Sequence, residues 1–363
     1  MPDHNQNKSL MTDLSITELG SALAEMGEPR FRLAQVMKWL YQKRIASFDE
    51  MTNVSKKSRE KIAGRFALKK PAVRCCLESS GGDAVKFGLE PMGNTADRHV
   101  IECVLLFDGK RRTACVSSQL GCGLGCTFCE TAKLGFIRNL SLAEIMGQLL
   151  VINDYLESKK DHLLTNIVFM GMGEALFNFE AVRAAIEIIT SDNGLVLAPW
   201  RITISTAGVV PSIEKLAAAG LGVQLAISLN HYSNEKRDAL MPINRKYPIE
   251  KVIDAARNFA HTNKHGVTFE YVVLEGENDT PEAVNALVKM LHGLRCKINL
   301  IPLNAAGGVA AAGGAQDTRR IAAFAQALFD RGIVATVRKS RGRDICGACG
   351  QLAGRLRKAD RYA

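Results

Sequence analysis

No apolar run in this 363-residue chain approaches the ~18 residues that a helical membrane span requires. A secretory leader is not expected either, because the first twenty residues are polar and mixed, without a charged-then-apolar order. Acidic residues are in deficit: 37 Asp plus Glu stand against 47 Lys plus Arg, a formal net charge of +10. The excess is uneven. The tail holds Arg338, Lys339, Arg341, Arg343, Arg355, Arg357, Lys358 and Arg361, and the N-terminal region holds Lys43, Arg44, Lys56, Lys57, Arg59, Lys61, Lys69 and Lys70. Basic clusters around a more neutral middle suit a polyanion partner, most simply nucleic acid, although a solvated surface explains the charge equally well. The ten cysteines are clustered rather than spread like a secreted disulfide framework, which fits a reducing compartment. A cytoplasmic protein with no membrane association is the expectation.

A further absence carries more weight. In the loop GCGLGCTFCETAKLGF, Cys122, Cys126 and Cys129 are spaced Cys-x3-Cys-x2-Cys, and the loop itself holds no fourth cysteine. Structural zinc takes four protein ligands, and so does a 4Fe–4S cluster held entirely by protein. Three thiolates on a four-iron cluster leave one iron open to a small molecule. The spacing, with Phe128 before the last cysteine, resembles the cluster loop of radical S-adenosylmethionine (SAM) enzymes. There the open iron binds SAM, and its cleavage yields a 5′-deoxyadenosyl radical. The alternative is a zinc site joining Cys126 and Cys129 to Cys346 and Cys349. It would orphan Cys122 and pair segments far more distant than the roughly 15–20 residues of short zinc modules.

Helical spacing runs from about residue 14 to residue 70, broken at Pro29. Two strands are expected at Ala84–Leu89 and His99–Phe107, with a turn around Pro91–Asn94. Thereafter six apolar strand-like runs (ACVSSQ, NIVFMGMGE, RITISTAG, VQLAISLN, VTFEYVVLE, KINLIPLN) alternate with helices beginning near Ser141, Phe179, Pro211, Pro248 and Pro281 and after Thr318. That alternation predicts a parallel sheet wrapped by helices, and six units fall short of the eight in a closed barrel. The fold class expected is α/β, a partial (βα)6 barrel of the radical SAM type. Residues 1–75 form a small helical domain, 76–112 a connecting β segment and 113–330 the barrel. Residues 331–363 carry a last strand at Ile333–Arg338, a cysteine loop and a basic extension. Polar and glycine residues gather where strands stop: Gly171, Gly173 and Glu174, then Ser205, Thr206 and Gly208, then Ser228 and Asn230, then Asn304. Strand carboxyl ends are where parallel α/β barrels bind ligands.

The segments FRLAQVMKWLYQKRIASFDEMTNVSKKSREKI, GCGLGCTFCETAKLGFIRNL, AEIMGQLL, FMGMGEALFN, ITISTAGVVP, LAISLN, MPINRKYPI, INLIPLN and GACGQLAG resemble, in order, the RlmN/Cfr family of radical SAM adenosine methyltransferases. The resemblance implies methylation of an adenine ring carbon: carbon 2 in large-subunit ribosomal RNA, with tRNA a further substrate of some RlmN members, or carbon 8 in Cfr members. The N-terminal segment leans to RlmN, whereas Ala175 leans to Cfr, since proline is usual there in RlmN. A ring carbon between two nitrogens is electrophilic and resists a methyl cation, so the family uses two SAM molecules per methylation. By this resemblance Cys349 takes a methyl group from one SAM, and the radical from the second removes a hydrogen from that methyl. The thiomethylene radical then adds to the adenine, and Cys115 resolves the crosslink by forming a disulfide with Cys349. Glu102 matches the family's base. Read alone, Glu102 would be an ordinary exposed strand carboxylate and Cys349 a small apolar turn residue.

Gly173, Glu174, Ser205, Ser228, Leu229, Asn230 and Asn304 match the family's SAM contacts, although many RlmN members carry His where Asn230 stands and Trp where Leu303 stands. Ala305–Gln316 is richer in Gly and Ala than the family loop, and Lys133 and Arg138 are candidates to steer an RNA backbone. Cys75, Cys76, Cys103 and Cys296 read as packing residues, and Cys346 matches no family nucleophile. An electron donor such as flavodoxin is implied, and the chain is expected to act as a monomer. A non-catalytic iron–sulfur or zinc RNA-binding protein is the rival from another class.

Overall fold

In a computed structural model describing residues 8–92, 99–303 and 318–354, ten strands lie in one sheet in unbroken chain order. They are β1 (Val73–Glu78), β2 (Ala84–Leu89), β3 (Ile101–Asp108), β4 (Arg111–Cys115), β5 (Asn166–Phe169), β6 (Ile202–Thr206), β7 (Gln224–Ser228), β8 (Val267–Val273), β9 (Cys296–Pro302) and β10 (Ala335–Val337). Strands β1 to β4 pair antiparallel, each joined to the next by a short connection or loop. From β4 to β10 every pairing is parallel. Crossovers that step one strand at a time in one direction curl a sheet toward a barrel rather than winding it both ways. The six expected strand–helix units and the extra last strand are all present.

Several intervening helices start on a signal visible in the sequence. Ser141 caps Leu142–Ser158 through a capping box with Glu144, Thr280 caps Pro281–Leu291, and proline opens or precedes several first turns. The strands bury apolar side chains such as Val104, Ile167, Ile204, Leu225, Phe269 and Leu300. The helix Leu142–Ser158 is buried nearly all round because the N-terminal unit covers its outer side.

That unit holds helices at Ile16–Glu25, Phe31–Met37 and Lys56–Arg65, and Pro29 lies between the first two as expected. Leu19, Leu23, Val36, Met37, Leu40 and Ile62 make its core. It is fastened to the barrel by polar contacts. Asp13 Oδ1 accepts from the Ala143 backbone at 2.9 Å, at the start of the long helix. Asp154 accepts from Arg44 Nε at 2.8 Å and from Lys70 Nζ at 2.6 Å.

Two expectations change. The segment at 76–112 is no mere connector, since β1, unforeseen and straddling residue 75, pairs with β2 and extends the main sheet. Its mixed exposure concealed it, whereas β2 is buried along its whole length. The basic clusters are also partly structural: Arg44 is buried against acidic partners, Arg341 pairs with Asp108 at 2.9 Å, and Arg338 turns inward. Asn304, the Ala305–Gln316 loop and Arg355, Arg357, Lys358 and Arg361 lie outside the described residues. Among the described residues no helix is long and apolar enough to cross a membrane.

Candidate active site

A cavity of about 830 Å³ fills the inside of the open barrel. Its wall brings together Cys115, Cys122, Cys126, Cys129, Gly173, Glu174, Ser205, Ser228, Asn230 and Cys349. Residues more than two hundred positions apart in the chain therefore share one space.

The cluster loop springs from a hairpin in which Gln119–Gly121 pairs antiparallel with Phe136–Asn139. Gly121 has φ +76°, and a Cβ placed there would lie 1.8 Å from the Gly135 carbonyl oxygen. Only glycine lets the two sides approach so closely. Gly121→Ala is therefore expected to splay the hairpin and to lower iron bound per chain at least several-fold, read by metal analysis after anaerobic reconstitution.

Burial pushes the Cys122 thiol up to about 11, and it pushes Cys126 up to about 12 with Cys129 and Cys122 adding to the rise. Iron reverses such a preference, because a coordinating thiol is deprotonated outright. Among the described residues no three His, Cys, Asp or Glu side chains gather about a single ion.

Glu174 is 3 % exposed, and both carboxylate oxygens are engaged. Oε2 accepts from the Ala207 backbone at 2.8 Å and Oε1 from Leu176 at 3.3 Å. Burial raises it to about 7, opposed by those bonds and by the Thr206 hydroxyl. Gly173, at φ +96°, packs so closely on Gln119 that a Cβ would fall 2.4 Å from the Gln119 Cβ. Asn230 holds φ +59°, a left-handed conformation that asparagine tolerates, and its Oδ1 accepts from Val272 at 3.0 Å. Leu229 is buried and absent from the cavity wall; its N–H donates to the Glu270 carbonyl at 2.9 Å and its carbonyl accepts from Arg237.

Sequence reading missed the residue that fixes these strand ends. Arg237, 0 % exposed, donates to the carbonyls of Leu229 (2.9 Å), Ala207 (2.8 Å) and Ser228 (2.9 Å) and to Asn244 Oδ1 (2.6 Å). It sits in a polar helix, NEKRDAL, where nothing marks it as buried. Two further cavity residues were missed. Glu270 on β8 accepts from Asn299 Nδ2 at 2.9 Å, and Arg338, just past β10, lies 4.0 Å from Glu270.

Glu102 is not the exposed strand carboxylate that it would be without the family match. It is 3 % exposed rather than surface-lying, and it is absent from the cavity wall. Its Oε1 pairs with Lys86 Nζ at 3.1 Å, and its Oε2 accepts from the Gly354 backbone at 2.6 Å. Lys86→Met would strand a buried carboxylate, and a loss of about 3–5 kcal/mol is expected in chemical denaturation. Lys133 and Arg138 are paired with Glu130 (2.6 Å) and Glu144 (2.6 Å), which reduces their freedom to hold phosphate. Cys75 and Cys103 are buried in the core, and Cys76 and Cys296 pack partly buried against it.

Cys349 rides on a strap that follows β10 and is tied at several points. The Gly342 backbone donates to Asp83, and the Gly350 carbonyl accepts from Glu130 N–H at 2.8 Å. The Leu352 carbonyl accepts from Thr131 Oγ1 at 2.7 Å, and Gly354 N–H meets Glu102. Two of these ties reach residues immediately after Cys129. Cys349 keeps accessible surface on the cavity wall, yet loss of solvation still raises its thiol, with Arg338 opposing.

A dual-specificity RNA methyltransferase RlmN of Bradyrhizobium sp. (strain ORS 278) is 42% identical to this chain, the match covering 97% of it and 90% of that protein. The chain belongs to the RlmN family. The RlmN of Halorhodospira halophila is likewise 42% identical, over 92% of this chain and 90% of its own length. A ribosomal RNA large subunit methyltransferase N-terminal domain matches residues 10–68, and the radical SAM superfamily matches 116–288. The crystal structure of a radical SAM methyltransferase from Sphaerobacter thermophilus superposes with a TM-score of 0.86 at 39% identity, covering 95% of this chain and 99% of that one. As a member of the RlmN family the protein is a radical SAM methyltransferase that uses a 4Fe–4S cluster and SAM.

Proposed function

We propose that the protein methylates carbon 2 of an adenosine in large-subunit ribosomal RNA, and of a tRNA adenosine beside the anticodon, in the cytoplasm. The observation that carries this reading is the meeting of Cys115 and Cys349 with the three-cysteine loop in one cavity, within a chain whose relatives are RlmN along almost their whole length. The RlmN N-terminal domain match and the RlmN relatives favour carbon 2 over carbon 8.

Cys122, Cys126 and Cys129 would hold the cluster, while Gly173, Glu174, Ser205, Ser228 and Asn230 on the cavity wall would hold SAM. Bound together, these groups supply a radical able to take hydrogen from unactivated carbon. The chain's own residues do the rest. Glu174 offers a carboxylate to an ammonium, and the Arg237-braced carbonyls hold the neighbouring strand ends rigid. Cys349 carries the methyl carbon that becomes the bond to RNA, and Cys115 releases it. By the family match Glu102 would serve as proton acceptor, from a buried position where Lys86 and the Gly354 N–H hold its carboxylate. Exposed lysines of the N-terminal unit, among them Lys43, Lys57 and Lys61, contact RNA phosphate, an electron donor such as flavodoxin reduces the enzyme, and the chain acts as a monomer.

The test is digestion and mass spectrometry of ribosomal RNA and tRNA from a deletion strain. Loss of 2-methyladenosine, restored by the wild-type gene, supports the reading. Loss of 8-methyladenosine, or of neither, overturns it.

A further inference from the structure

Cys115 poses a problem that its position makes plain. A resolving thiol must become a thiolate to attack. Burial pushes Cys115 up to about 12, and the nearby Cys349 adds to the rise. Two features oppose this: the backbone N–H of Met170, which donates to the Cys115 sulfur, and the guanidinium of Arg338.

Arg338 reaches this place by an unusual route. The parallel run begins at β4, which ends in Cys115, and finishes at β10, so these two strands are its opposite limits. The Arg338 backbone continues β10 by donating to Leu300 at 2.9 Å. Its side chain nevertheless crosses the cavity to Met170, beyond the end of β5, where Nη1 lies 3.6 Å from the thioether sulfur. Glu270 on β8 faces the guanidinium at 4.0 Å and competes with Cys115 for it. Arg338 thus spans the open barrel, and Met170 touches both it and Cys115.

We propose that Arg338 is a positioning residue for the resolving step, holding Cys115 as the nucleophile that frees Cys349 from the methylated RNA. In that step Cys115 gives up its S–H proton, and its sulfur bonds to the sulfur of Cys349. The bond from Cys349 to the methylene on the adenine breaks, and its electron pair stays on that carbon, which takes one proton and becomes the methyl group. The two cysteines lose two electrons and the carbon gains them, so no further oxidant is needed.

The other groups facing this pair do not replace the guanidinium. Cys103 faces Cys115 from β3 and Cys349 faces it from the strap, and each only disfavours a second thiolate. Lys297 faces Glu270 from β9. Arg341 is held by Asp108.

The inference rests on the proposed role of Cys115, so its test reads a property independent of RNA turnover. Anaerobic holoenzyme is treated with iodoacetamide across a pH series, and alkylation of the Cys115 peptide is followed by mass spectrometry in wild type, R338M and R338K. Cys296, with Arg257 as its own charged neighbour, is the internal control. R338M should slow Cys115 alkylation about tenfold or more at pH 8, corresponding to a midpoint at least one unit higher. R338K should recover most of that loss, with Cys296 unchanged in both. An unchanged Cys115 midpoint in R338M overturns the proposal. Should R338M lose its iron, R338K and E270Q decide: E270Q removes the anion competing for the guanidinium and should speed Cys115 alkylation, and a slowed or unchanged rate counts against the inference. In an RNA assay R338M should also accumulate the protein–RNA adduct, and absence of any adduct alongside a shifted midpoint would indict the role of Cys115 rather than that of Arg338.

Discussion

Cys349→Ala is expected to reduce RNA methylation to background while leaving the fold, the bound iron and SAM cleavage intact. The carbon to be methylated lies between two ring nitrogens and is electron-poor, so direct delivery of a methyl cation is opposed by the substrate's own polarity. In the proposed mechanism a protein thiolate would avoid this by taking the methyl first, after which the carbon would be delivered as a radical. Removing that sulfur leaves no acceptor, and no other described residue repeats its position: Cys346 is three residues earlier on the same strap, in a left-handed turn at φ +51°. The change should be mild structurally, because Cys349 keeps accessible surface and its neighbours are held by backbone bonds from Glu130 and Thr131. The measurement is transfer of isotopic label from SAM to an RNA fragment by reconstituted enzyme. Label appearing in RNA at the wild-type rate would remove Cys349 from the mechanism.

Cys115→Ala is expected to fail differently. Methyl uptake and addition to the adenine should proceed, but nothing then attacks the Cys349 sulfur. A covalent protein–RNA species should accumulate toward one per chain, seen as a gel shift that survives denaturation and disappears on nuclease treatment. Stability should change little, since replacing a half-buried Cys by Ala removes one small atom from the end of β4. An adduct with Cys349→Ala, or none with Cys115→Ala, would reverse the two roles. The contrast between an inert enzyme and a trapped one distinguishes the radical mechanism from any RNA-binding role in which neither thiol matters.

Much of the fold was readable because its signals are local. The helix starts at Ser141, Pro248 and Pro281 rest on a cap or a proline within a few residues, and these and the start at Phe179 appear within a residue or two. The direction of the strands was readable too, since serine, asparagine and glycine collected where strands stop. Strand β1 escaped notice because VRCCLE alternates poorly, and its place depends on pairing with β2 rather than on its own pattern.

The sequence by itself determined the family, and through that resemblance it nominated the three-cysteine loop and the pair Cys115 and Cys349, because motif spacing and order are properties of the chain alone. Tertiary structure alone decided which charges are spoken for. Arg237 looks like a surface helix residue and braces three carbonyls; Lys86 and Glu102 look like exposed strand charges and form a buried pair; Arg338 looks like part of a basic tail and crosses the cavity toward Cys115. Periodicity says which side of a strand a residue occupies. It cannot say what faces that residue across a curved sheet, and there the partner sets whether a charge is solvated, paired or turned to chemistry.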